Sequence, residues 1–156
     1  MSRIFIFTGK GGVGKSSVAA AHAVKSAETG KNTLLVSTDM AHNLGDIFEK
    51  PLGREIENVL PNLDLYEIDP QYVMEHDYQE IMKYIGSIMT DNGSMDLSAL
   101  GILPGSEELF SLLRIADIYE SGKYDRIIVD CAPTGETLSL QIQKKKKFSY
   151  QKDKVF

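Results

Sequence analysis

Short apolar runs separated by polar turns dominate the first part of the chain. The runs at 4–8, 33–37 and 126–130 are continuously apolar or β-prone, and they predict strands buried on both faces, as in a parallel sheet. The run at 63–68 alternates apolar and polar positions with period two. It predicts a strand with one wetter face that lies nearer an edge of the sheet.

Helical periodicity fills the intervals between these runs. Helices are predicted over 16–29, over 71–89 and from about Ser106 through Tyr119, with Ser106 as the N-cap and Gly122 as the stop. Strands that alternate with helices predict an α/β fold with a mostly parallel sheet.

Composition narrows the class of protein. The chain has 156 residues, 42% of them hydrophobic and 25% charged, which is typical of one ordinary soluble domain. A lone cysteine, Cys131, excludes a disulfide scaffold and favours a reducing compartment. Neither a secretory signal nor an apolar run of about 20 residues is visible, so we expect a cytoplasmic location.

The net charge of −5 conceals two unlike parts. Residues 141–156 contain six lysines and one aspartate, a net charge of +5, whereas residues 1–140 carry −10. The acidic body argues against nucleic acid as a partner. We therefore predict a nucleotide-binding domain over 1–140 and a separate basic tail over 141–156.

The clearest chemical motif is the segment 9–16, GKGGVGKS, which matches the pattern G-x-x-x-x-G-K-[ST]. Its glycines let the backbone wrap closely around a phosphate, and the start of the following helix adds unpaired amides. In this pattern Lys15 reaches the β- and γ-phosphates, and the hydroxyl of Ser16 binds Mg²⁺.

Three further features identify a family. Lys10, a second lysine inside the motif, resembles the deviant Walker A loop shared by MinD, ParA, the nitrogenase iron protein and ArsA. The segment 37–46, STDMAHNLGD, resembles switch I of the ArsA family, the arsenite-translocating and tail-anchored-protein-targeting ATPases. The segment 130–138, DCAPTGETL, resembles the switch II of that family. The resemblance covers residues 3–140.

The resemblance implies a three-layer P-loop NTPase fold, incomplete at the carboxyl end, that binds ATP and Mg²⁺. Asp39 matches the family aspartate that orients the attacking water, and Lys10 matches the lysine that acts across a dimer. Ser16 and Asp130 would hold Mg²⁺. The implied nucleotide-binding residues are Gly11, Gly12, Val13, Gly14, Lys15, Ser16, Ser17, Asn43 and Gly135.

Some positions depart from the family pattern. Met40 replaces a proline, Cys131 stands where threonine is common, and Glu136 stands where some members have histidine. The change at Met40 removes no catalytic group from the pattern, and Glu136 is given no specific role. For Cys131, a small buried residue is the simpler interpretation, ahead of a redox role.

The resemblance also implies partners: a second copy in a homodimer, and either a membrane pump or a hydrophobic membrane-protein client. Two other functions stay open from the sequence. One is a nucleotide-binding fragment that lacks catalysis, and the other is a MinD/ParA-like positioning ATPase, which the segments 37–46 and 130–138 disfavour.

The basic tail has three possible explanations. Four consecutive lysines at 144–147 suggest an A-rich coding tract and a reading-frame slip. The alternatives are a naturally disordered basic tail and a tail that contacts a membrane or nucleic acid.

Overall fold

The computed structural model describes residues 2–39, 43–79 and 106–131. The elements in chain order are β1 (Arg3–Phe7), α1 (Lys15–Glu28), β2 (Thr33–Ser37), α2 (Asn43–Ile47), β3 (Glu57–Leu60), β4 (Leu63–Glu67), α3 (Pro70–His76), α4 (Ser106–Glu120) and β5 (Arg126–Asp130). The predicted tail over 141–156 lies outside the described residues.

Five strands form one sheet in the order β1-β5-β2-β4-β3. The strands β1, β5, β2 and β4 are mutually parallel, and β3 pairs antiparallel with β4. The register pairs Phe7 with Asp130, Asp130 with Ser37 and Ser37 with Glu67. Four strand ends therefore lie side by side along one carboxyl edge, where parallel α/β sheets bind their ligands.

Helices cover both faces of the sheet. Four alanines of α1 are buried against one face together with Leu35, Leu65 and Ile128, and Leu44 of α2 joins the same core. On the other face α3 and α4 pack on each other and on the sheet through side chains such as Val73 and Ile115. This arrangement confirms the predicted three-layer α/β fold with a mostly parallel sheet.

Small residues let α1 approach the sheet closely. Ala19, Ala20, Ala23 and Ala27 are all at most 5% exposed. The helix ends where Gly30 adopts a φ of 77°, the left-handed conformation that glycine adopts most easily.

Two predicted burial patterns are wrong. β1 was expected to be buried on both faces, yet Ile4–Phe7 are only half-buried, because β1 lies at an edge of the described sheet. β4 was expected to have a wetter face, yet Tyr66 is 1% exposed. The reason is that α3 and α4 cover that face as well.

Two predicted elements also differ in the structure. The antiparallel strand β3 was not predicted, because its sequence ENVL contains only two apolar residues. The helix predicted over 71–89 is shorter in its described part. α3 begins at Pro70, with Asp69 accepting a 3.0 Å hydrogen bond from the amide of Tyr72, and ends at His76. Residues 80–89 lie outside the described residues.

A tight turn at Pro61 and Asn62 joins β3 to β4. Asn62 has a φ of 61°, and its carbonyl accepts a 2.9 Å hydrogen bond from the amide of Thr33 at the start of β2. The turn therefore lies at the amino edge of the parallel strands, opposite the carboxyl edge. Within the described ranges, no helix is long and apolar enough to cross a bilayer.

Candidate active site

The glycine-rich segment 9–14 connects β1 to α1 directly at the carboxyl edge of the sheet. Gly12 and Gly14 have φ values of 76° and 83°, a left-handed conformation that side-chain-bearing residues rarely adopt. No atom lies within 4 Å of a Cβ built on either glycine. The space beside these two glycines is therefore open, and glycine is required there for its backbone conformation.

The amino end of α1 opens into this space. Gly14 occupies the N-cap position without a side-chain hydrogen bond to the helix, and its carbonyl accepts a 3.0 Å bond from the amide of Val18. The first amides of the 14-residue helix and its positive dipole end are consequently available to an anion.

Two lysines of the loop lie in different environments. Lys15 is half-buried, and its Cδ lies 3.6 Å from a Cβ built on Gly9, so its side chain lies back along the start of the loop. Lys10 is exposed, as are Gly11 and Ser17. Val13 is also exposed, to 65% of its surface.

Asp130 is the most unusual group of the site because its carboxylate is almost completely buried. Burial raises its pKa, with a smaller upward contribution from the nearby charge of Asp39; a hydrogen bond with Ser16 and the positive charge of Lys15 act in the opposite direction. The end of β5, the start of α1 and the end of β2 thus bring four predicted site residues together.

The donor set around Asp130 fits a hard divalent cation. Its Oδ1 atom is buried and has no hydrogen-bond partner among the described residues, which is rare for a buried carboxylate oxygen. The hydroxyl of Ser16 lies beside it. Carboxylate and hydroxyl oxygens are the ligands that Mg²⁺ prefers, so Asp130 and Ser16 could hold this ion. No group of three or more His, Cys, Asp or Glu side chains forms a metal cluster in the described ranges.

Asp39 is placed by the end of β2. Its amide donates a 3.1 Å hydrogen bond to Oγ of Ser37, and the amide of Thr38 donates a 3.0 Å bond to the carbonyl of Asp130. These contacts hold the chain where it leaves β2, next to the end of β5. The half-buried Asp39 therefore leaves β2 close enough to Asp130 for its charge to act on that carboxylate.

Two other predicted residues are only partly or not at all described. Asn43 begins α2, which places its backbone at the carboxyl edge; its side chain lies outside what the structure describes. Gly135 lies outside the described residues entirely.

Two residues that the sequence did not single out belong to the same edge. Ser37 is 2% exposed, and Glu67 is 6% exposed at the end of β4. Oε1 of Glu67 accepts hydrogen bonds of 2.8 Å from the amide of Leu44 and 3.1 Å from the amide of Gly45. The only available signal was a polar residue at the carboxyl end of a strand.

Cys131 is buried immediately after Asp130. Burial raises the pKa of its thiol to about 11, and the neighbouring charge of Asp130 acts in the same direction. A thiol in this state is protonated at neutral pH, which agrees with a structural interpretation of the residue.

A glycine-rich loop between a strand and a helix, facing acidic side chains at the ends of neighbouring strands, defines the P-loop class of α/β proteins. A family model described as anion-transporting ATPase matches residues 2–149. The chain belongs to this ArsA ATPase family.

Individual relatives agree with the family model. A Chlorobaculum tepidum protein in the group of arsenical pump-driving ATPases is 47% identical over 140 residues, which is 88% of this chain and 35% of the relative. The arsenical pump-driving ATPase of Escherichia coli is 37% identical over 86% of this chain and 24% of the relative. The ATPase ASNA1 homolog 1 of Paramecium tetraurelia is 37% identical over 85% of this chain and 40% of the relative. The chain thus spans well under half the length of these three relatives.

Proposed function

We propose that this chain binds Mg²⁺-ATP at the segment 9–16 and forms the hydrolytic part of an ArsA-type ATPase. The observation that carries the proposal is the convergence on Asp130: a buried carboxylate with an unpartnered oxygen, beside Ser16 and Lys15 of the loop and Asp39 of the neighbouring strand. These are the groups needed for a metal ion, a phosphate and an attacking water.

The proposed roles follow from where each group lies. The amides of residues 11–16 and the open end of α1 would surround the phosphates, and Ser17, the next residue of α1, would extend this nucleotide-binding segment. Lys15 would contribute a positive charge that attracts the phosphates. Mg²⁺ held by Ser16 and Asp130 would neutralise charge on the phosphate oxygens. Asp39 would fix the lone pair of the attacking water toward phosphorus.

Lys10 has a different proposed role. Its side chain is exposed on the outside of the loop, which suits a cation supplied to the nucleotide of a second copy in a homodimer. The family relationship supports this role, together with γ-phosphate sensing by Asn43 and Gly135.

The partners and the location of the protein are proposed from the names of its relatives. Relatives are named as arsenical pump-driving ATPases and as an ASNA1 homolog. We propose a cytoplasmic ATPase that transmits its nucleotide state to a membrane pump or to a hydrophobic membrane-protein client.

Phosphate release from the purified chain tests the proposal. Lys15→Ala should weaken ATP binding by about a hundredfold, since loss of one partner from a hydrogen-bonded charge pair costs about 2–5 kcal/mol. Asp39→Asn should lower kcat by about a hundredfold and leave the Kd for ATP within about threefold. Lys10→Ala should lower kcat with binding nearly intact.

Lys25→Ala is the matched control, because Lys25 is an exposed lysine of α1 that pairs with Glu28 on the same helix surface. It should leave binding and turnover unchanged. Unchanged ATP affinity in Lys15→Ala would contradict the nucleotide site, and unchanged turnover in Lys10→Ala would contradict the role across a dimer.

A second candidate is a nucleotide-binding fragment without turnover. The observation that favours it is the share of the relatives that this chain spans, 35% for the Chlorobaculum tepidum protein. ATP binding that depends on Lys15, together with no Mg²⁺-dependent phosphate release, would select this candidate.

A further inference from the structure

Glu67 is a buried acid that the proposed chemistry does not use. Glu67 is the last residue of β4 at the carboxyl edge, and β2 separates its strand from β5, which carries Asp130. A carboxylate that is 6% exposed requires hydrogen bonds to offset the loss of water. Glu67 obtains two of them from consecutive backbone amides, Leu44 at 2.8 Å and Gly45 at 3.1 Å.

The two amides belong to α2, which is firmly anchored in the fold. Leu44 is fully buried in the core beneath α1. Gly45 has no room for a side chain, because a Cβ built there would lie 2.9 Å from the carbonyl oxygen of Lys50. The amide of Lys50 in turn donates a 3.0 Å bond to the carbonyl of Gly45.

The described residues that flank 40–42 on each side are therefore held by the sheet. At the first flank, Ser37 accepts the amide of Asp39. At the second, Glu67 accepts the amides that directly follow Asn43. Ser37 and Glu67 are themselves paired in register across β2 and β4, so both anchors belong to one rigid edge.

We propose that Glu67 is a positioning residue for hydrolysis, which holds the start of α2, and with it the backbone of Asn43, in register with the phosphate loop. The inference rests on the proposed function, and it assigns Glu67 no contact with the nucleotide. Charge-assisted bonds from a carboxylate to amides are stronger than bonds between neutral groups, so the anchor is well suited to keep one arrangement of this segment.

If Glu67 acts by positioning, its removal should lower kcat and leave KM for ATP nearly unchanged. Without the Glu67 carboxylate, the phosphate loop itself is unchanged, so KM for ATP should stay within about threefold while kcat falls by about tenfold or more. Hydrogen exchange at the amides of Leu44 and Gly45 should become about tenfold faster, because each loses its acceptor.

The experiment compares Glu67→Ala, Glu67→Gln and Glu57→Ala in the full chain. Glu57 is the matched control: its Oε1 also accepts a hydrogen bond from the amide of a glycine, Gly53, at 2.7 Å, but this bond is exposed, at the start of β3. Glu67→Ala should show the fall in kcat and the faster exchange. Glu67→Gln keeps an acceptor oxygen but loses the charge, so its kcat and exchange rates should lie between those of Glu67→Ala and the parent. If Glu67→Ala does not fold, a Glu67→Gln that matches the parent in both overturns the proposal. Glu57→Ala should match the parent.

The outcomes separate this inference from the function on which it rests. A parent that turns over ATP, with Glu67→Ala and Glu67→Gln both matching Glu57→Ala, overturns the positioning role alone. A rise in KM that accounts for the whole loss of activity in Glu67→Ala also overturns it. A parent that releases no phosphate overturns the proposed hydrolysis, and the positioning role with it.

Discussion

At the scale of single residues, Asp130 shows that a site for chemistry can oppose stability. Its carboxylate is 1% exposed, and one oxygen has no partner among the described residues. Burial raises its pKa because the ionised form is poorly solvated. The chain thus contains a buried negative charge that would be better accommodated with a cation beside it.

Replacement of this charge should stabilise the ligand-free chain. Because the folded pKa lies above the ordinary value of 3.8, stability falls as the pH rises from 3.8 through the folded pKa, and the deficit remains at neutral pH. Asp130→Asn should therefore raise Tm without ligand by about 2–4 °C, equivalent to about 1 kcal/mol, in a thermal melt at pH 7.

The same variant should lose the increase in Tm that Mg²⁺-ATP gives the parent, since binding to the folded state stabilises only where a site exists. Lys25→Ala, on the exposed face of α1, should retain this increase. A lower Tm without ligand in Asp130→Asn would mean that the charge stabilises the fold through Lys15.

At the scale of elements, the strands predicted from continuous apolar runs were more accurate than those predicted from mixed sequence. β2 and β5 have the limits that the sequence gives, 33–37 and 126–130, because five successive β-prone residues between turns have few other stable placements. β3 was missed because an edge strand needs only one buried side chain, here Val59. Its pairing with β4 is a hairpin closed by Pro61 and Asn62, but a four-residue strand with two apolar residues has too weak a pattern to be recognised by itself.

The candidate site divides in the same way. Lys15, Ser16 and Asp130 were predicted as site residues because a loop of defined spacing and a strand-end acid mark them. Glu67 was not found, because in an alternating strand a glutamate looks solvent-exposed. Its burial depends on α2, which follows a different strand.

Asp64 joins three elements at the amino edge of the sheet. Its carboxylate accepts hydrogen bonds from Asn58 at 2.8 Å, from Lys123 at 3.1 Å and from the hydroxyl of Tyr124 at 2.6 Å. Burial raises the pKa of Asp64, but these bonds, Tyr124 first among them, lower it by more, so the pKa lies below the ordinary value of 3.8.

Asp64→Ala should lower the free energy of unfolding by about 2 kcal/mol, because the buried Tyr124 and two exposed donors lose a charged acceptor. Since the folded pKa is depressed, the contribution is complete above 3.8 and is lost as the pH falls through the folded pKa. Urea unfolding at pH 7 and at pH 3 measures both effects, and the difference between parent and variant should shrink at pH 3.

Glu28→Gln is the control for this prediction, since it removes a surface carboxylate that pairs with Lys25 and should change stability by less than about 1 kcal/mol. A difference between parent and Asp64→Ala that is as large at pH 3 as at pH 7 would contradict the assignment to charge.

At the scale of the whole molecule, the sheet is unevenly protected. β2 is buried along its whole length between β5 and β4, whereas β1 is half-buried at an edge of the described sheet. Local opening requires the least free energy where few apolar contacts are lost. Stability should therefore decline from the middle of the sheet toward β1 and β3.

Amide hydrogen exchange can measure this gradient directly. The amides of β2 and β5 should exchange at least about tenfold more slowly than those of β1 and β3 at pH 7. Equal protection of β1 and β2 would show that something covers the edge at β1. Measurements over a range of chain concentrations would then separate a second copy from another part of the same chain.

The buried Cys131 makes the molecule convenient for site-specific chemistry. It is the only cysteine in the chain, and its thiol is inaccessible with a pKa raised to about 11. A cysteine introduced at the exposed Pro61, in the turn at the amino edge, would therefore react alone with a maleimide dye. The label would lie at the opposite edge of the sheet from the glycine-rich loop, where a fluorophore or a surface tether can test the proposed binding of ATP without obstructing it.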